Sequence, residues 1–147
     1  MDDQGEEVRA YTDGACRCGN PGECSAAFVV FDSSGYIMAS DSLYLGPQLH
    51  TNNYAEYQGM LYLLRWAENS KVTDLDIYCD SKLVVNQVMG LWNVSSEELK
   101  PLHLQAFSMR IRGDHCLHHI KGHSGNPGNE YVDKLCNEIL DKELGVK

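Results

Sequence analysis

The sequence predicts a layered α/β (α+β) domain built on a mixed sheet, and three observations carry that prediction. Residues 8–45 hold three consecutive strand-like segments separated by turn chemistry. From residue 53 onward, helical periodicity and short alternating segments take turns. The chain closes on a segment whose apolar residues Val132, Leu135, Cys136, Ile139 and Leu140 make one helical stripe.

In order, VRAYTD at 8–13 alternates, with Val8, Ala10 and Thr12 on one side and Arg9, Tyr11 and Asp13 on the other, so it reads as a strand ending at Asp13. GACRCGNPGEC at 14–24 reads as a loop, and AAFVVF at 26–31 as a buried strand. Asp32-Ser33-Ser34-Gly35 is a hairpin turn into a third strand over 36–45. A helix begins at Asn53 as N-cap and ends near Asn69. DLDIYCD at 74–80 alternates as a strand that delivers Asp80 to its end. Ser81 caps a short helix carrying Val84, Val85 and Val88 that stops at Gly90, and a further helix starts near Ser95 or Ser96, with Pro101 in its first turns. CLHHIK at 116–121 is the last strand, GHSGNPG at 122–128 a loop, and the chain from Asn129 a helix.

A length of 147 residues suits a single domain spanning 1–147, with a core over about 8–142 and a flexible acidic segment at 1–7. The first fifteen residues show neither a secretory nor a transit signal, and no apolar run reaches membrane-spanning length. The six cysteines include two inside predicted strand and helix, a pattern of reduced thiols rather than a disulfide framework. A cytoplasmic setting, a monomer and no membrane association are therefore expected. The net charge of −9 opposes strong non-specific affinity for nucleic acid, although acidic groups that hold divalent cations would supply positive charge locally.

Asp13 and Asp80 end separate strands and Glu56 lies in the first turn of a helix, positions that can converge into an oxygen-ligand site for hard cations such as Mg²⁺. Two such ions suit in-line phosphodiester hydrolysis. Singly, each residue has a plainer role: Asp13 and Asp80 as turn formers, Glu56 closing a capping box from Asn53, Asp133 as a solvated helix residue, and His123 as a surface histidine or a proton carrier.

The runs YTDGACRCGNPG (11–22), TNNYAEY (51–57), YCDSKLVVNQ (78–87) and IKGHSGNPGNEYVDKL (120–135) resemble, in that order, the four signature segments of type 1 ribonuclease H. The resemblance covers about 8–142. It implies a ribonuclease H-like fold, a five-stranded mixed sheet flanked by helices, and an endonuclease that hydrolyses the RNA strand of RNA–DNA hybrids, leaving 5′-phosphate and 3′-hydroxyl ends. It assigns two Mg²⁺ ions, with Mn²⁺ as a substitute, to Asp13, Glu56, Asp80 and Asp133, and proton transfer or product departure to His123. It further implies ribose 2′-hydroxyl contacts from Cys16, Asn20 and the rest of that loop, Asn53 and Glu56. Thr51 and Asn52 fall where the family grips DNA-strand phosphate at a helix start, and both also suit capping.

Three features depart from that pattern. The loop Cys16–Asn20 is one residue longer. Lys82 stands where many members carry glutamine. The stretch 88–105 has Lys100 as its only basic residue, where several members carry a lysine-rich substrate handle. Trp92 in that stretch fits stacking on the DNA strand or plain packing.

Cys16, Cys18 and Cys24 lack a fourth ligand at zinc spacing, and a redox-labile pair of Cys16 with Cys18 or Cys24 stays open. Alternation sends His118 and His119 to opposite faces, against a metal site shared with His115. The rivals in function are another nuclease of the same general fold, such as a proofreading exonuclease with Asp-x-Glu on its first strand, a junction resolvase or a transposase, and a non-catalytic hybrid- or double-stranded-RNA-binding module. The first strand here reads Asp13-Gly14-Ala15, and no carboxylate is missing.

Overall fold

A computed structural model describes residues 8–145, so the expectation of flexibility for 1–7 falls outside the described residues. The elements run β1 (Arg9–Arg17), β2 (Glu23–Phe31), β3 (Ile37–Tyr44), α1 (Asn52–Ser70), β4 (Asp76–Cys79), α2 (Lys82–Val88), α3 (Lys100–Gly113), β5 (Cys116–His119) and α4 (Pro127–Leu144). The strands form one sheet in the order β3-β2-β1-β4-β5. β1 pairs antiparallel with β2 and parallel with β4, which makes the sheet mixed as predicted.

Alternation along the strands separates two cores. Ala10, Phe28, Val30, Ile77, Cys79 and Leu117 face α1, α2 and α3, whereas Tyr11, Ala27 and Val29 face Val132 and Cys136 of α4. Gln87 ties the first layer together: its Oε1 accepts from Tyr57 Oη at 2.6 Å, and its Nε2 donates to the Asn93 carbonyl at 3.1 Å. No helix among the described residues is long and apolar enough to cross a membrane.

Several boundaries differ from the sequence reading, including β2, which starts at Glu23 rather than 26, and β5, which ends at His119 rather than 121. β1 continues four residues past Asp13, because Gly14 to Arg17 keep pairing with Ala26 to Glu23. Glycine and proline composition suggested a loop there, but the pairing continues and leaves only 18–22 as the connection. α1 is capped by Thr51, whose Oγ1 accepts from Tyr54 N at 3.1 Å, and not by Asn53. α3 starts at Lys100 rather than Ser95 or Ser96, with Pro101 at a first-turn position where its missing N–H costs nothing. α4 begins at Pro127 under an Asn126 cap, two residues before the predicted start.

The cysteine reading also needs correction: Cys16 and Cys24 form a disulfide. They are directly opposed on β1 and β2, a pairing that follows once β1 extends beyond Asp13. Cys18, Cys79, Cys116 and Cys136 remain free thiols.

Candidate active site

Asp13 lies in mid-β1, on the face that carries Tyr11, and is only 4% exposed. Two glycines bring α1 against it. A Cβ on Gly14 would lie 2.4 Å from the Ala55 carbonyl carbon and 2.5 Å from Glu56 N, and one on Gly59 would lie 2.6 Å from the Asp13 carbonyl oxygen. The helix backbone can therefore rest directly on the strand, which carries Glu56 to Asp13. With Thr51 as the cap, Glu56 is the fifth residue after it, two residues past the position that closes a capping box.

Asp80 follows the last residue of β4, on the chain leading to the α2 cap. Its Oδ2 accepts from Asn129 Nδ2 at 3.3 Å and lies against Gly122, where a Cβ would approach to 2.7 Å. Asp133 reaches the cluster from α4 and shares a hydrogen bond with Asp13, as does Glu56 from α1. α1, the end of β4 and α4 thus converge on Asp13 of β1.

The electrostatics follow from that crowding. Burial first, then the charges of Asp80 and Asp133, push the Asp13 carboxyl up to about 8, opposed by the Gly14 N–H that donates to its Oδ1 at 2.9 Å. Burial and the charges of Asp13 and Asp80 raise Glu56 well above the carboxylate range. Cys79 Sγ lies 4.0 Å from Glu56 Oε1, but burial holds the thiol protonated and its side chain belongs to the α1-side core. It is a poor ligand there. The oxygen donors fit a hard divalent cation, whose charge would relieve the repulsion that raises these groups.

His123 is exposed on the loop before α4, with a left-handed backbone at φ 56°. Its backbone N–H donates to Asn129 Oδ1 at 3.4 Å, and among the described residues its ring makes no hydrogen bond to a carboxylate. Asn129 therefore joins the His123 loop to Asp80. Sequence reasoning missed it, because an asparagine near a predicted helix start reads as a cap; Asn126 does cap the helix, and Asn129 is 3% exposed.

Of the other predicted contact residues, Asn20 and Asn52 are brought together, with Asn20 Oδ1 accepting from Asn52 N at 2.9 Å. Asn52 and Asn53 are exposed beside the Thr51 cap. Cys16 has no free thiol to offer, since its sulfur is bonded to Cys24. Lys82 is exposed at the first position of α2. Trp92 is 45% exposed and lines a surface groove with Lys100, His103, Leu104 and Phe107.

The RNase H family model matches residues 5–140. A ribonuclease HI of Halobacterium salinarum is 33% identical over 141 residues, covering 95% of this chain and 67% of the relative. A bifunctional protein of Mycobacterium tuberculosis is 32% identical over 136 residues, covering 92% of this chain and 36% of its own length. Among solved structures, LC11-RNase H1 in complex with RNA/DNA hybrid superposes with a TM-score of 0.82 at 28% identity, over 94% of this chain and 99% of that one.

Proposed function

The chain belongs to the ribonuclease H family, of type 1, and we propose that it hydrolyses the RNA strand of RNA–DNA hybrids at the Asp13 cluster. The observation that carries this reading is the convergence of Glu56, Asp80 and Asp133 on a buried Asp13 whose carboxyl is pushed up to about 8. Such a cluster is costly without a cation and well matched to one.

In this reading Asp13, Glu56, Asp80 and Asp133 hold two divalent cations, Mg²⁺ with Mn²⁺ as a substitute. Bound there, the ions neutralise charge on the attacking and departing oxygens of the phosphodiester. The protein's own residues fix that site. Asp13 is locked by its Gly14 hydrogen bond, and Asn129 orients Asp80. His123 stands on the exposed loop, where an imidazole can carry a proton to or from the departing strand. The linked Asn20–Asn52 pair, with Thr51 and Asn53, offers polar groups at a helix start for the hybrid's sugar and phosphate edges. Lys82 and Trp92 extend this surface, and the protein acts as a cytoplasmic monomer.

The test is cleavage of a labelled RNA–DNA hybrid beside duplex DNA and duplex RNA, in Mg²⁺, Mn²⁺ or EDTA, for the wild type and Asp13→Asn. Selective cutting of the hybrid's RNA strand, lost in EDTA and in the variant, is expected. Equal cutting of duplex DNA, or activity that survives both EDTA and the substitution, refutes the proposal. Hybrid binding without cleavage in any metal favours the binding-module reading instead.

A further inference from the structure

A second set of ligand-type side chains lies away from the carboxylate centre. β5 is an edge strand, and on it Cys116 and His118 are two residues apart and face the same side. In the parallel register Asp76 pairs with Cys116 and Tyr78 with His118. One ligand atom each from Asp76, Cys116 and His118 lies within 4.8 Å of the others, and His118 Nε2 is 2.8 Å from Asp76 Oδ1. His118 and His119 alternate to opposite faces and share no site; the partners of His118 come instead from its own strand and from β4.

The geometry points to a second metal site at Asp76, Cys116 and His118 that takes a borderline-soft transition cation of the Zn²⁺ class, distinct from the hard-cation centre. The donor set is one sulfur, one imidazole nitrogen and one carboxylate oxygen, with a fourth position open to water, the composition that such ions prefer and Mg²⁺ does not. Nitrogen and oxygen ligands about 2.0–2.1 Å from one tetrahedral ion stand about 3.3 Å apart. The Asp76–His118 separation is already close to that.

Two further observations favour a built site over chance proximity. The His118 ring stacks on Tyr78 with centroids 4.9 Å apart, and Tyr78 in turn stacks on Tyr11 at 5.2 Å, which restricts the imidazole's orientation. Solvent also reaches the cluster, since α4 lies over β1, β2 and β3, and the Asp76 and His118 side chains are 30% and 39% exposed with Cys116 exposed beside them. Binding would release the Cys116 proton and pin the edge strand that leads into the His123 loop. Asp80 lies four residues on from Asp76, just past the end of β4, so at the rise of an extended chain the two sites stand roughly 13 Å apart.

The test uses the full chain with its disulfide intact and Mg²⁺ in excess to fill the carboxylate centre. Co²⁺, a spectroscopic stand-in for Zn²⁺, is titrated while the thiolate-to-cobalt charge-transfer absorption is followed. The expected result is a band that saturates at one equivalent, is displaced by Zn²⁺, disappears in Cys116→Ser, and persists in Cys18→Ser. Asp76→Asn and His118→Ala should each weaken Co²⁺ binding by at least about tenfold. Zn²⁺ should raise the melting temperature of the wild type but not of Cys116→Ser, whose Mg²⁺-dependent activity should be unchanged. A band that survives Cys116→Ser, a band that vanishes in Cys18→Ser, or no thiolate band in the wild type overturns the assignment.

Discussion

Replacing Asp13 by Asn should abolish catalysis and at the same time stabilise the metal-free protein at alkaline pH. The carboxyl rises from its ordinary 3.8 to about 8 on folding, mainly through burial and then through Asp80 and Asp133. A raised acid binds more protons folded than unfolded between those values, so stability is full below about pH 4 and is lost as pH climbs through 8. At about 1.4 kcal/mol per unit the span corresponds to roughly 6 kcal/mol for a rigid cluster. Carboxylates that swing apart and admit water reduce this, and about 2 kcal/mol is the expected gain at pH 8. Asn keeps the oxygen that accepts from Gly14 and removes the charge. For a chain of this length the gain is about 4–8 °C in melting temperature. The assay is thermal unfolding in EDTA at pH 5 and pH 8, repeated with Mg²⁺. The variant should melt above the wild type at pH 8, by much less at pH 5, and Mg²⁺ should raise the wild type more than the variant. A variant that melts at or below the wild type at pH 8, or a gap equal at both pH values, refutes the reasoning.

Gly14→Ala places a methyl 2.4 Å from the Ala55 backbone, and urea unfolding should register a loss of about 1–3 kcal/mol together with collapse of activity as Glu56 is displaced. Asn129→Ala leaves Asp80 and the His123 loop unlinked; cleavage of the hybrid should slow by about 10–100-fold, while metal-free far-ultraviolet spectra stay unchanged. Because few lysines and arginines meet phosphate, hybrid cleavage should depend only shallowly on added salt, and Glu98→Lys, in the stretch that lacks a basic handle, should steepen that dependence while lowering KM more than it raises kcat. His115 is held below its ordinary 6.5 by burial, so it disfavours the proton in the folded state. Stability should fall as pH drops below about 6.5, and His115→Gln should flatten that part of the pH–melting profile.

The layered fold was legible because alternation and helical stripes are local. The Ile77/Cys79 and Tyr78/Asp80 faces separate as read, and the Val132, Cys136 and Leu140 stripe is buried as read. The extent of β1 was not, since Gly14 and Ala15 have poor strand propensity and remain extended because β2 pairs with them. The cross-strand Cys16–Cys24 bond depended on that same non-local register. Thr51 rather than Asn53 caps α1 for a related reason: both are good caps, and where the chain leaves β3 selects between them. In the candidate site, the four carboxylates that the motifs single out are gathered around Asp13. Asn129, a buried connector, had no local signal.

The glycines explain why the carboxylates need their motif context to be recognised. Asp13 and Glu56 are 43 residues apart in sequence, and nothing in either residue directs it to the other. Gly14 and Gly59 do so by removing the side chains that would hold α1 away from β1, and Gly122 does the same for the His123 loop against Asp80. A cluster brought this close and buried is costly to ionise: burial first, and mutual repulsion second, raise the carboxyls of Asp13 and Glu56. The negative charge that counts against nucleic-acid binding in the composition is thus concentrated where cations would reverse its local effect. Under the proposed function cations would not supply phosphate grip along the groove, and with Lys100 alone over 88–105 that grip would fall to Lys82 and to the neutral polar groups at the start of α1. Substrate affinity in this chain should therefore depend on the metal centre more than it would with a basic handle, which ties binding and chemistry to the same four carboxylates.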